Sequence, residues 1–597
     1  MNSPASARFP LALGLALWAA AWALQLWMNR DIIAGWQLSD PDDFLRLVQV
    51  RDLLAGQGWF DLTQHRINPP GGTLMHWSRL VDLPLAGVIV LLTPLIGAQA
   101  AEQAAMLIVP ALTLFALVLI VGRLTALLAG RTAAILACVG IVFQPMLGVQ
   151  LRPLRIDHHG WQIVCVMLAL YLLLRHRGAK GAALAGAALA VGLAVSLEVL
   201  ALAAGFGLVC LWRWLMEKDR RALPAFLASL AATSAALLLA TRGLGDLAAH
   251  CDQISPPYLI AMGLAALGAL AVSGTRRATR LLQFVLLAAA GSAGLAAFLI
   301  SAPHCTSGPF AMLDPLVRDY WYVNVVEGQP IWRGSFGLVA PVLLAALVGL
   351  GVMTCQMRAA RNTEQRAVWR EYLIVFTVTM ATGLLVLRTN AVVGAMALPP
   401  IGLLAAGLLR RAVESVRPLA KFGYAMLIAA LLAPVIPAAM VVAALPQLGG
   451  SAKKAPAVSQ SQCALAQSAA KLDLLPPGLI FAPLDVGPQI LSGSRHAVVA
   501  TAHHRAAAAM HDVIAAFIAA PPEAEAIVRG HGADYLLICH ELAEPRLYAR
   551  RAPDGLAARL AAGDVPAWLN SVYIGLPPGL SLYRVTPRPD GTPAPRR

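Results

Sequence analysis

Three polar clusters interrupt an otherwise apolar chain. The first opens with Ser39-Asp40-Pro41-Asp42-Asp43 and continues through Asn68-Pro69-Pro70-Gly71-Gly72 to His76-Trp77-Ser78-Arg79. The second is Arg155-Ile156-Asp157-His158-His159, and the third holds Asp314-Pro315, Arg318, Asp319 and Val326-Glu327-Gly328-Gln329-Pro330. Asp157 and His159, two positions apart, offer a carboxylate oxygen and an imidazole, a donor set suited to a hard or borderline divalent cation such as Mg²⁺ or Mn²⁺. Acids this distant in sequence act together only where a fold brings them to one face, and charge at a bilayer boundary is costly enough to mark function. The plainer alternative is that these are solvated loop residues capping helix ends, with Asp157 near the start of the span Trp161 to Leu174.

The elements that must position these residues are membrane helices. Of 597 residues, 58% are hydrophobic and only 13% charged, against roughly 25% charged in soluble domains. Apolar blocks rich in Ala and Leu recur, most of them long enough to cross a hydrocarbon core, and small-residue helix packing excludes an outer-membrane barrel. Thirteen spans are expected: Leu11 to Met28, Ala104 to Val121, Ala133 to Leu147, Trp161 to Leu174, Ala182 to Leu197, Val199 to Leu211, Leu223 to Ala240, Tyr258 to Val272, Leu281 to Ile300, Phe336 to Met353, Tyr372 to Leu387, Ala391 to Leu409 and Phe422 to Leu445. Leu83 to Ile96, bracketed by Pro84 and Pro94, reads as a re-entrant or interfacial segment too short to span. The first block follows Arg8 and has no A-x-A cleavage site, so a retained anchor is expected.

The net charge of +15 is topological and does not point to nucleic acid. With the N-terminus cytoplasmic, every second loop is basic, as retention of Lys and Arg inside requires; Arg175, Arg177 and Lys180, then Arg213, Lys218, Arg220 and Arg221, are examples. An odd number of spans puts the chain after Pro446 in the periplasm of a bacterial inner membrane, where Cys251, Cys305, Cys463 and Cys539 are external. Pairing of Cys463 with Cys539 is one reading and lone buried thiols the other. No C-x-x-C pair occurs among the eight cysteines. The expected organisation is a membrane domain over 1–446, with external loops at 29–82, 150–160 and 301–335. A linker at 447–460, a periplasmic α/β domain at 461–586 and a disordered tail at 587–597 follow it.

The order of these motifs resembles the catalytic subunit of oligosaccharyltransferase, within the GT-C glycosyltransferases, along most of the chain. Asp40-Pro41-x-x-x-x-Arg46 resembles its first-loop D-P-x-x-x-x-R, and Arg155-x-Asp157-x-His159 its second-loop acidic pair preceded by Arg, with His in place of the second carboxylate. Val326-Glu327-Gly328-Gln329-Pro330 is similar to S-E-x-Q-P, and Arg388 to an arginine that contacts the lipid-linked phosphate. Leu484-Asp485-Val486-Gly487 resembles the sequon-reading W-W-D-x-G block with Pro483 and Leu484 where its two tryptophans stand.

The resemblance implies a polytopic α-helical membrane protein of GT-C type with about 13 transmembrane helices and a C-terminal extracytoplasmic α/β domain. It further implies transfer of a sugar or oligosaccharide from a polyprenyl phosphate or diphosphate to a periplasmic protein, lipid or polysaccharide, by metal-assisted inverting displacement. Mg²⁺ or Mn²⁺ would be held by Asp40, Asp157, His159 and Glu327. Asp40 and Glu327 would serve the acceptor, and Arg388 and Arg155 the donor phosphate. Asp42, Asp43, His158 and Glu198 are additional candidates. The competing reading is a transporter or flippase of lipid-linked glycans, which internal repeats with broken helices would have favoured. His503, His504 and His511 are read as a surface cluster on one helix without a third ligand for a metal.

Overall fold

The computed structural model describes residues 9–275, 277–310, 313–445, 463 and 465–587. The expected linker at 447–460 and the tail from 588 onward lie outside them. The chain forms two compact units: Met1–Asn29 with Ser78–Gly308 and Val326–Ala452, and Arg30–Trp77 with Pro309–Val325 and Lys453–Arg597. Most of the first external loop therefore folds with the tail.

The first unit is a helical membrane bundle. Among the described residues, eleven helices are long and apolar enough to cross a membrane, twelve if Pro418–Leu432 and Val435–Ala444, bent by 97°, make one span. The expected spans change at several points, the single span Phe422 to Leu445 being two helices at this bend. Arg79–Ile96 is one continuous 18-residue helix with Pro84 and Pro94 inside it, and by length and composition it qualifies as a span. The expected span Ala133 to Leu147 is broken instead: Arg131–Gly140 ends in a 3-10 turn, and a new helix starts at Pro145, whose ring fixes φ but offers no N–H to continue the earlier helix. His159–Arg175, at 17 residues, is a shorter apolar helix.

Helices Val199–Glu217 and Thr363–Leu385 form the pair that matters most for the candidate site. They run antiparallel, with Glu198 meeting Arg388 at one end and Arg213 meeting Glu371 at the other. Gly205 permits their close approach, since a Cβ there would lie 3.2 Å from both the Val375 Cα and the Val378 Cβ. Without a hydrophobic drive between helices in lipid, such small-residue contacts and buried polar pairs supply the specificity of packing.

The second unit centres on a five-stranded sheet. A hairpin pairs β1 (Thr63–Gln64) with β2 (Thr73–Leu74); β3 (Leu479–Phe481), β4 (Ala497–Val498), β5 (Tyr535–Cys539), β6 (Leu569–Ser571) and β7 (Leu580–Val585) follow. The sheet order is β4-β3-β5-β7-β6, with β3 parallel to β4 and β5, and β7 antiparallel to β5 and β6. β6 was not legible from the sequence. Every residue of β5 is buried, as a central strand covered on both faces requires. Ile67 bridges Val498 in parallel, the Asn68 N–H donates to the Val498 carbonyl at 2.9 Å and the Val498 N–H to that of Arg66 at 2.9 Å, so the first loop extends the sheet beside β4.

Two disulfides are present, Cys251–Cys305 in the first unit and Cys463–Cys539 in the second. Cys138, Cys165, Cys210 and Cys355 are free. The four cysteines expected outside are thus the four that pair.

Candidate functional site

In the membrane unit the second polar cluster sits in a tight turn before helix His159–Arg175. Leu154 takes the left-handed conformation at φ +65, which costs energy for a branched residue and is held by the Leu154 N–H donating to the Met106 carbonyl at 3.1 Å. The turn carries Arg155 into contact with Asp157, Nη2 to Oδ2 at 2.6 Å, with both side chains buried. Asp157 Oδ1 also accepts from the backbone N–H of His159 at 2.9 Å, so it does cap the helix start. Burial raises the Asp157 carboxyl, but Arg155 and then His159 and His158 outweigh it and hold the group well below the ordinary carboxylate range.

From Asp157 a connected chain of polar side chains runs to the third cluster. His159 Nε2 lies 3.7 Å from Asp157 Oδ2, and its Nδ1 lies 3.3 Å from Gln162 Oε1. Gln162 Nε2 donates to Glu198 Oε2 at 3.3 Å. Glu198 accepts from Arg388, and Arg388 Nη1 donates to Glu327 Oε1 at 3.3 Å. Arg388 occupies a 3-10 turn, Leu387–Thr389, that follows helix Thr363–Leu385. The Leu387 N–H donates to the Gln329 carbonyl at 2.9 Å, which ties the Glu327 turn to the Arg388 turn. Burial raises Glu198, but Arg388 and then His159 overcome it and lower the group.

The structure therefore brings Arg155, Asp157, His158, His159, Glu198, Glu327 and Arg388 into one network. Asp157, His158 and His159 offer ligand atoms all within 4.8 Å of one another, and the His158 and His159 rings are 4.2 Å apart. One carboxylate oxygen with two imidazoles is a donor set that Mn²⁺ or a borderline divalent ion accepts, so the residues fit a cation. Glu327 is engaged with Arg388. Gln162, which sequence reasoning missed, is the bridge; its signal was its place one turn beyond His159 on the same helix face.

The second unit holds Asp40, Asp42 and Asp43. Asp40 is the N-cap of helix Pro41–Leu54, and its Oδ1 accepts from the Asp42 N–H at 2.9 Å. Asp43 is buried, and Arg46 lies 4.7 Å over the Trp77 ring. Asp485 is pushed up to about 6 by burial first and the Asp40 charge second. Glu544, also missed, accepts the Leu484 N–H at 2.7 Å, the Asp485 N–H at 2.9 Å and the Tyr548 hydroxyl at 2.5 Å. Burial and then the Asp485 charge push Glu544 up to about 8 from its ordinary 4.5.

A pH dependence follows from this pair. The unfolded chain releases the Glu544 proton near 4.5 and the folded one near 8, so between those values the folded state binds more protons. The stability this group confers is complete below 4.5 and is lost as pH rises through 8, with a slope of at most about 1.4 kcal/mol per pH unit. Hydrogen-exchange protection of the Leu484–Asp485 amides, corrected for intrinsic rate, is expected to fall from pH 5 to 8. Glu544→Gln, which keeps one amide oxygen as an acceptor, flattens that decline; equal slopes in the two proteins would contradict the assignment.

No family model matches the chain, and no curated protein matches it either. Solved structures do. The archaeal oligosaccharyltransferase AglB from Archaeoglobus fulgidus, in complex with an inhibitory peptide and a dolichol-phosphate, is similar at TM-score 0.67 and 15% identity, over 94% of this chain and 72% of that one. The same enzyme tethered to an acceptor peptide containing the NVT sequon is similar at TM-score 0.64 and 14% identity, over 96% and 74%. An arabinofuranosyltransferase, AftD from Mycobacteria, overlaps more loosely, at TM-score 0.45 and 15% identity over 96% and 40%. The fold is similar to that of these oligosaccharyltransferase structures, a multi-pass helical membrane unit with a sheet-containing C-terminal domain.

Proposed function

We propose that this chain is a membrane glycosyltransferase that moves a sugar or oligosaccharide from a polyprenyl phosphate or diphosphate to an acceptor outside the bacterial inner membrane, with inversion. The observation that carries the reading is the connected chain of polar groups from the buried Asp157, His159 and Gln162 through the half-buried Glu198 and Arg388 to Glu327. The dolichol-phosphate in the AglB complex supports a lipid-linked donor here, and the pairing of all four expected external cysteines supports an oxidising outer side.

Asp157 and His159, with His158 alongside, would hold a divalent cation such as Mg²⁺ or Mn²⁺, which supplies positive charge against the phosphate leaving group. Arg388 presents a planar fork suited to phosphate oxygens. A donor phosphate competes with Glu327 for Arg388 Nη1, while Glu198 keeps the guanidinium oriented. Glu327, once released, accepts the proton or hydrogen bond of the acceptor as the anomeric C–O bond breaks and the new bond forms. Asp40 keeps the acceptor role its motif implies, on the motif alone. The tail lacks both tryptophans of the sequon-reading block, so the acceptor is proposed as a periplasmic protein, lipid or polysaccharide without an Asn sequon requirement.

Purified protein incubated with a polyprenyl-linked donor tests this. Transfer is expected to stop on chelation, to return with Mg²⁺ or Mn²⁺, and to fall about 10²-fold in Glu327→Gln. Mass spectrometry of cells lacking the gene should show lipid-linked donor accumulating; an unchanged profile of lipid intermediates and glycans would refute the proposal.

A further inference from the structure

A second group of possible metal ligands lies entirely within the tail unit. The sequence suggests that His503, His504 and His511 share a helix, but the helix starts at Ala507, with a 3-10 turn, His504–Ala506, before it. His511 faces elsewhere, its Nδ1 2.9 Å from Asp314 Oδ1. His503 is buried at 2% exposure, which a surface cluster does not explain. The missing third imidazole comes from the first loop: the β1–β2 hairpin and the Ile67–Val498 bridge carry His76 to this place.

The geometry is tight. His76 Nδ1 lies 2.9 Å from His503 Nε2, the His76 and His504 rings are 4.9 Å apart and the His503 and His504 rings 5.1 Å. One ring nitrogen of each of the three lies within 4.8 Å of the others. A tetrahedral ion with Zn–N bonds of about 2.1 Å separates its ligands by about 3.4 Å, so small ring rotations suffice. Trp77 packs edge-on to His503 at 5.4 Å and Phe310 edge-on to His504 at 5.0 Å, walls that fix the rings and limit water.

We propose that His76, His503 and His504 bind a borderline transition-metal cation of the Zn²⁺ class, separate from the ligands Asp157 and His159 of the membrane unit. Three neutral imidazoles without a carboxylate in the group favour Zn²⁺, Co²⁺ or Ni²⁺ over Mg²⁺. Because His76 and His503 are 427 residues apart, the bound ion clips the first external loop, which carries Asp40, to the tail sheet.

The test uses the full-length protein in detergent, stripped with chelator and re-equilibrated with Zn²⁺ in excess Mg²⁺, with bound metal counted by mass spectrometry. Wild type is expected to retain Zn²⁺ with at least one equivalent removed by His76→Gln/His504→Gln and retained by Asp157→Asn/His159→Ala. Co²⁺ added to the stripped wild type should give the intense visible absorption of a tetrahedral site, a readout independent of how any variant folds. Equal Zn²⁺ content in wild type and the double glutamine variant, or no tetrahedral Co²⁺ band in wild type, overturns the assignment.

Discussion

Asp157→Ala is expected to lower transfer from a lipid-linked donor by about 10²- to 10³-fold, the scale at which a preorganised charge-stabilising group acts. The same substitution should also destabilise the protein, by about 3–5 kcal/mol, because it leaves Arg155 buried without its ion partner. These two effects are separable. The Arg155 and Asp157 side chains are 3% and 1% exposed, so replacing both by apolar residues, Arg155→Met with Asp157→Leu, removes the stranded charge and restores most of the stability. Thermal unfolding of the single and double variants, with transfer measured on each, reads the difference. Recovery of the melting temperature without recovery of transfer is the expected pattern. A double variant with full transfer would show that the Arg155–Asp157 pair is structural only.

The sequence revealed the parts of this site and concealed their connections. Asp157, His159, Glu327 and Arg388 stand out because charged or ligating residues are rare in so apolar a chain and costly at a bilayer boundary. Their linkage through Gln162 and Glu198 could not be read, since the place of Gln162 one turn beyond His159 gains a meaning only once the neighbouring helix is known. Glu198 stands between two apolar stretches with no motif around it; its meaning comes from Arg388, 190 residues away.

Proline misled in both directions. Pro84 and Pro94 suggested a re-entrant or interfacial segment too short to span, yet Arg79–Ile96 is a single 18-residue helix, with Pro84 at its sixth residue, close to the first turn where a missing N–H costs little. Pro145, by contrast, marks a true break. The first loop is the larger lesson. Its role as an added edge of the tail sheet rests on one bridge, Ile67 to Val498, far too short for period-2 alternation to reveal, and with it went the third histidine of the cluster.

Glu371→Gln is expected to destabilise the protein by about 3–5 kcal/mol, through the far end of the helix pair that carries Glu198 and Arg388. Glu371 is fully buried and accepts from Arg213 Nε at 2.9 Å and Nη2 at 2.7 Å; Arg177 Nη1 lies 3.2 Å away. Arg213 also donates to the Leu173 carbonyl at 3.1 Å, so the pair joins three helices. An amide in place of the carboxylate leaves a buried guanidinium uncompensated in a medium of low polarity. Arg213→Met with Glu371→Met removes both charges and should return stability to near or above that of wild type. Because Gly205 holds the two helices in close contact between their ends, the double variant should also retain transfer, since the contact that sets the spacing of Glu198 and Arg388 is intact. If Glu371→Gln melts with wild type, the buried pair contributes nothing. If the double variant is stable but inactive, the ion pair sets the register of the helices, and the close packing at Gly205 does not suffice to hold it.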